Sequence, residues 1–220
     1  MKRKVILLVG AFILIISASA FYVIDFTKTK KAKRNISNIE LHEGDIIFQS
    51  TNSRQCEAVK LVTKSNWSHC GLIFNRYNKK DDWWVLEAVQ PVRWTKLNQF
   101  IARGQGGHYE IKRVENKSVT DSVGELLQKS AEKHLGKEYD ALFAWGNESI
   151  YCSELVWKTY HDVLKTSIGN TQTLSDFDLS HPMVASIAQE RYGDNIPWTE
   201  TVISPQAIYE SGELVSISKK

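Results

Sequence analysis

The sequence predicts an α+β domain built around a small antiparallel sheet, and three observations carry that reading. Composition is globular: 42% apolar and 24% charged residues, with only 4 Pro and 12 Gly, which argues against a disordered or collagen-like chain. Short β-rich runs fall between residues 46 and 114 and helical patterns dominate beyond 120, so strands and helices are segregated rather than alternating. Seven Trp, eight Tyr and eight Phe supply core material, and a chain of this size buries roughly 70% of its unfolded surface without a metal or disulfide staple. At ~150 residues per domain, the 220 residues make one domain with an attachment.

The attachment comes first. Lys2-Arg3-Lys4 precedes an uncharged apolar run, Val5 to Ile16, and Ala18-Ser19-Ala20 offers a signal-peptidase site. Phe21 to Ile24 prolong that run to twenty residues, enough to span a bilayer as a helix. Residues 1–26 are therefore read as a signal peptide or a membrane anchor through residues 5–24, and 27–39 as a basic linker. A periplasmic or cell-envelope location follows as the expectation, although Lys28, Lys30, Lys31, Lys33 and Arg34 would favour the cytoplasm for an uncleaved anchor. Residues 1–34 hold eight basic side chains and one acid; that leaves 20 basic and 24 acidic side chains for the rest, a balance of −4. No nucleic-acid partner is expected of such a surface.

Residues 40–217 read as the domain. Glu43-Gly44-Asp45 is a turn leading into the β run Ile46-Ile47-Phe48. Ser53 caps a helix to Lys64, with Ala58, Val59, Leu61 and Val62 at helical spacing. Cys70–Phe74 and Trp83–Val89 are strands joined by the polar loop Asn75–Asp82, and Tyr109–Val114 alternates as a half-buried strand does. A helix opens at Thr120, with Val123, Leu126, Leu127, Ala131 and Leu135 on one stripe and Gly136 ending it. Ser149–Leu164 is a second helical region, Met183–Arg191 a short helix, and Val202-Ile203 a strand. Pro205 fits the first turn of a last helix, and Leu214–Ile217 closes as a strand.

Three residues point to chemistry. Cys152 begins a helical pattern, where unpaired N–H groups and the helix dipole favour a thiolate and offer an oxyanion site. His69 begins a strand, from which an imidazole reaches across to a helix terminus. Glu87 lies within the apolar Val85-Leu86-Glu87-Ala88-Val89, and a buried acid needs a partner. If the hairpin turn centres on residue 78, paired positions sum to 156 and place Glu87 directly opposite His69 on one face. Each residue has a blander reading: a buried thiol, a core-edge imidazole, a water-facing carboxylate. Together they supply nucleophile, base and orienter. There is no CxxC or HExxH among the three Cys and six His, so no metal or other cofactor is expected.

His69 in SHCGLIF, Glu87 in LEAVQPV, LGKEYD at 135–140, YCSELVW at 151–157 and SPQAIY at 204–209 resemble the circularly permuted papain-like enzymes of the NlpC-type superfamily, in particular the YiiX-like group. The likeness spans residues 40–215, with the His before the Cys as in the permuted order. It implies a permuted papain-like fold, with Cys152 as nucleophile, His69 as base and Glu87 as third residue. Asp45 and Tyr139-Asp140 also match motifs of that family and are read as scaffold, and Tyr209 matches a position near the cleft, where it would touch substrate. Trp67, with Trp83, Trp84 and Trp94, is a further candidate for lining an apolar site. The expected activity is that of a cysteine peptidase or amidase passing through a thioester. Its expected substrates are cell-wall peptides or small amino-acid amides of the bacterial envelope. A lipid acyl hydrolase or acyltransferase with the same three residues, and a non-catalytic envelope binding module, are the alternatives.

Overall fold

The run Ile46-Ile47-Phe48 has no polar position to give to solvent, so a strand made of it must be covered on both faces. The computed structural model describes residues 28–29, 31–32, 36, 38–115 and 121–219. In it, β1 (Ile46–Gln49) is an inner strand of a six-stranded antiparallel sheet ordered β4-β3-β2-β1-β5-β8. Its other members are β2 (His69–Phe74), β3 (Trp84–Glu87), β4 (Arg93–Lys96), β5 (Glu110–Val114) and β8 (Leu214–Lys219). Two short strands, β6 (Gln172–Thr173) and β7 (Thr201–Val202), pair separately.

Side chains alternate across a strand, and this divides the core in two. Ile46, Phe48, Leu72 and Phe74 pack with Leu155, Val156 and Tyr160 of α4 (Cys152–Leu164) and with Leu127 and Ala131 of α3 (Asp121–Glu132). Ile47, Ile73, Val85 and Ile111 pack with Leu97, Phe100 and Ile101 of α2 (Leu97–Arg103) on the opposite face. Each such side chain contributes roughly 1.5–3 kcal/mol by leaving water. Gly44, at φ 86°, makes the turn into β1, where a Cβ would sit 2.8 Å from Leu127 Cδ1. The turn thus needs both a positive φ and an absent side chain.

Local signals set the helix starts. Ser53 Oγ accepts the Cys56 N–H at 3.1 Å to cap α1 (Arg54–Thr63). Ser204 Oγ accepts the Ala207 N–H at 3.0 Å to cap α6 (Pro205–Tyr209), with Pro205 in its first turn. Helix α1 runs antiparallel to α5 (Pro182–Tyr192): Arg54 bonds Glu190 and Gln55 bonds Arg191 at one end, and Lys64 acts on Asp178 at the other.

The structure departs from the sequence reading in four places. Helix α3 is shorter than Thr120–Leu135, and Leu126 and Leu135 are 52% and 39% exposed; Leu127 and Ala131 carry the stripe, because only one side of the helix meets the core. Strand β4 and helix α2 were not anticipated; β4 is an edge strand whose burial is too partial to write a clear apolar period. The β2–β3 register pairs Leu72 with Leu86 and Phe74 with Trp84, so the hairpin centres on residue 79 and Glu87 faces Gly71 rather than His69. Finally, part of the basic linker is packed: Ala32 is 3% exposed, and Ile36 and Ile39 lie against the α2 side of the core. The expected signal or anchor at residues 1–26 lies outside the described residues, among which no helix is long and apolar enough to cross a membrane.

Candidate active site

Cys152 is the first residue of α4. Tyr151 precedes it in extended conformation, and the Glu154 carboxylate accepts the Tyr151 N–H at 3.3 Å, which starts the helix there. Ser153 Oγ donates to the Ile203 carbonyl at 2.7 Å, Tyr151 Oη accepts the Ile203 N–H at 3.0 Å, and Tyr160 donates to the Gly44 carbonyl at 2.7 Å. These bonds fix the helix start against β1 and the segment after β7. The Cys152 thiol is 4% exposed. A hydrogen bond from the Cys70 thiol and the neighbouring imidazole of His69 hold it well below the ordinary thiol range, against the opposing effect of burial. The N–H groups of the first helical turn have no carbonyl of their own to bond and face this sulfur's end of α4.

His69 and Glu87 come together by a route other than the one the hairpin arithmetic anticipates. The register differs by two residues, and an even shift preserves the face. The two residues are therefore diagonal rather than opposite neighbours, and His69 Nε2 lies 2.6 Å from Glu87 Oε2. Gly71 makes this diagonal open. It stands opposite Glu87, and a Cβ there would be 2.5 Å from Val85 Cγ1 and 3.3 Å from Glu87 Cβ. A glycine inside a strand marks such a close approach, and this was the signal in SHCG for it.

Glu87 is fully buried. Besides His69 it accepts Thr95 Oγ1–H at 2.6 Å and a guanidinium N–H of Arg103. Burial raises its pKa, but the bond and charge of His69 and then Arg103 overcome this and set it at about 2. The carboxylate is ionised, so Nε2 carries the proton and Nδ1 is left to Cys152. Burial lowers the His69 pKa, while its bonds to Cys152 and Glu87 raise it to about 10. The ring is also stacked on Phe100, centroids 5.5 Å apart at 23°. Sequence reasoning missed Thr95, Arg103 and Phe100 because they belong to β4 and α2.

Cys70 follows His69 on β2 and points to the other face, as strand alternation requires: it lies in the α4-side core while His69 stacks on Phe100 across the sheet. Cys152 interacts with both. All three cysteines are free thiols.

Beside Cys152 a cleft runs between α1 and α5. Val59 and Val62 of α1, Val184 and Ile187 of α5, and Leu174 and Ile203 give it largely apolar walls. Its polar end is made by Gln55, Tyr139 and Arg191. Gln55 Nε2 donates to Tyr139 Oη at 2.6 Å, and Arg191 donates to Gln55 Oε1 at 2.9 Å. Tyr139 pairs with Ile150 just before Cys152, and both it and Cys152 line the cleft; burial raises the phenol pKa, and the charge of Cys152 adds to it. Tyr139 is therefore part of the cleft wall and not scaffold alone. Asp45 remains scaffold, held by Arg113 at 2.7 and 2.8 Å. Tyr209 and Trp67 are not among the residues lining this cleft; they line a second hollow, their rings 5.6 Å apart, with Tyr209 Oη donating to Glu110 at 2.9 Å. Trp83, Trp84 and Trp94 do not line the cleft either. Among the described residues no group of three or more His, Cys, Asp or Glu side chains is placed to hold a metal ion.

Residues 40–218 match the model of a family described as permuted papain-like amidase enzymes, YaeF/YiiX, C92 family. The uncharacterized protein YiiX of Escherichia coli strain K12 is 45% identical over 177 residues, which cover 80% of this chain and 86% of that protein. A crystal structure described as that of the metalloprotein YiiX from Escherichia coli O157:H7 superposes with a TM-score of 0.77 at 42% identity, over 81% of this chain and 97% of that one.

Proposed function

This chain belongs to the permuted papain-like amidases of the YaeF/YiiX, C92 family, and from that premise we propose that it is a cysteine amidohydrolase with Cys152 as nucleophile, His69 as acid and base, and Glu87 as the residue that orients His69. The observation that carries this reading is the imidazole held between a buried, ionised Glu87 and the Cys152 thiol at the start of α4.

The thiolate attacks the acyl carbon. The carbonyl π pair moves to oxygen, and the resulting oxyanion is received by N–H groups of the first turn of α4. His69 Nδ1–H passes its proton to the leaving nitrogen as the C–N bond breaks, which leaves a thioester on Cys152. His69 then takes a proton from water, the hydroxyl oxygen attacks the thioester, and the sulfur departs as thiolate with the acid released. Glu87 holds the Nε2 proton throughout, so the ring presents Nδ1 to sulfur and substrate. The neighbour from E. coli O157:H7 is described as a metalloprotein; a metal on His69 does not fit the residues here, because its ring nitrogens are engaged by Glu87 and Cys152.

Of the substrate classes, the apolar walls favour an amide or ester with a hydrocarbon acyl chain over a wall peptide, because a peptide stem would leave its polar groups unpaired there. We place the reaction in the bacterial envelope, where the N-terminal segment would carry the domain. Mass spectrometry of a lipid extract and a wall digest, each incubated with native protein and with Cys152→Ala, tests both proposals. A product that appears with native protein only is expected in the lipid extract. Turnover by Cys152→Ala would remove the thioester mechanism, and turnover of the wall digest alone would remove the acyl-chain reading.

A further inference from the structure

The polar end of the cleft holds a cation whose purpose the hydrolytic chemistry does not explain. Arg191 closes α5 and lines the same cleft as Cys152. Its guanidinium donates to the neutral Gln55 amide and lies 5.1 Å over the Phe143 ring. Among the described residues no carboxylate lies within ion-pair distance of it; the neighbouring Glu190 is taken by Arg54. A guanidinium left beside an apolar wall without an acid is a site for a planar anion, which its fork of N–H donors matches in a bidentate manner.

The position of Arg191 specifies which part of the substrate bears the charge. Because α1 and α5 are antiparallel, Gln55 and Arg191 meet at one end of the groove, and Val62 and Val184 lie toward the other. Gln55 bonds Tyr139, whose backbone bridges Ile150 two residues before Cys152, so Arg191 stands at the Cys152 end. An acyl chain that runs along the apolar walls from a carbonyl at Cys152 leaves the other half of the molecule beside Arg191.

We propose that the substrate is an acyl amide whose leaving amine carries a carboxylate, the N-acyl amino acid class, and that Arg191 selects it. This rests on the acyl-chain reading above. The chain occupies the α1–α5 groove, the amide carbon meets Cys152, and the carboxylate pairs with Arg191. Hydrolysis consumes one water and releases a fatty acid and a free amino acid.

The test is binding by calorimetry to the full chain bearing Cys152→Ala, which does not turn over. The probes are N-decanoylglycine and its neutral twin N-decanoylglycinamide. At least tenfold tighter binding of the carboxylate is expected, lost in Arg191→Gln and partly kept in Arg191→Lys. Equal affinity for the two probes, or a preference that survives Arg191→Gln, would overturn the role of Arg191 and leave the acyl reading standing. If neither probe binds the Cys152→Ala chain or slows alkylation of Cys152 in the native chain, the acyl reading itself fails and takes this inference with it. Hydrolysis of N-decanoylglycine by the native chain reports separately on the amidase proposal.

Discussion

Substituting Glu87 by Gln keeps the shape of the side chain and removes its charge, and the structure gives the size of the consequence. Glu87 accepts bonds from His69 at 2.6 Å, from Thr95 at 2.6 Å and from Arg103, with no exposed surface of its own. A hydrogen bond to a charged group is worth roughly 1.5–3 kcal/mol. At about 1.36 kcal/mol per pH unit, the His69 pKa is expected to fall by ~1–2 units from its value of about 10. The imidazolium also holds the Cys152 sulfur ionised, so the thiolate becomes harder to form by a similar amount. The assay is the rate of iodoacetamide alkylation of Cys152 against pH, read by mass spectrometry with the Cys56 and Cys70 peptides as internal references. The alkaline limb is expected to move down, the acid limb up, and the plateau to narrow. Arg103 loses its partner as well; because it is one-third exposed, the lower end of the range for a broken buried pair applies, about 3 kcal/mol. That corresponds to a fall in Tm of roughly 6–12 °C for a domain of this size. A profile superimposable on the native one, in a variant that is destabilised by this amount, would refute the orienting role and leave Glu87 as a structural ion-pair member.

Three further outcomes are expected. The stability advantage of the native chain over Glu87→Gln is fully present above pH 4.5 and shrinks as pH falls through about 2, since the folded pKa is depressed; the advantage over His69→Ala is present below pH 6.5 and shrinks as pH rises toward about 10, since that pKa is raised. Urea unfolding at pH 2.5, 5.5 and 9.5 measures both, and pH-independent differences would contradict them. Gly71→Ala puts a Cβ 2.5 Å from Val85 Cγ1 and is expected to cost about 1–3 kcal/mol by overpacking; it should also shift the alkylation profile as Glu87→Gln does, while Gly71→Ala with Val85→Ala recovers part of the loss in thermal unfolding. Cys70→Ala removes the thiol that bonds the Cys152 sulfur, so the acid limb of alkylation is expected at higher pH while the alkaline limb stays; an unmoved acid limb would show that His69 alone sets the sulfur's ionisation.

The pairing of His69 with Glu87 shows how far a sequence can be read. Their parity on neighbouring strands follows from alternation alone and survives the two-residue error in register, because an even shift returns each side chain to its own face. The register itself was beyond reach: the loop Asn75–Asp82 contains turn-formers at several positions, and nothing local chooses between centres at 78 and 79. Gly71 was passed over: a glycine inside a strand is a signal of close approach, but its function, clearing the diagonal, needs Val85 and Glu87 in place. Thr95 and Arg103 were invisible because β4 and α2 carry weak patterns and take shape by packing on β3. Tyr209 and Trp67 reverse the lesson: both were singled out, yet they line a hollow apart from the Cys152 cleft.

The sequence by itself determined what local chemistry controls: the strand runs, the capped starts of α1 and α6, a thiol at the first residue of a helix, and an imidazole and a carboxylate on one face of a hairpin. These depend on periodicity and on side chains within a few residues of the backbone groups they bond. Tertiary structure decided what depends on segments far apart in the chain: the meeting of Cys152 with His69 and Cys70, the three-way grip on Glu87, and a cleft that is apolar along its length and cationic where Gln55, Tyr139 and Arg191 meet. Contacts of that kind follow from how helices and strands pack over both faces of a sheet, and packing is a property of the assembled core that no single segment encodes.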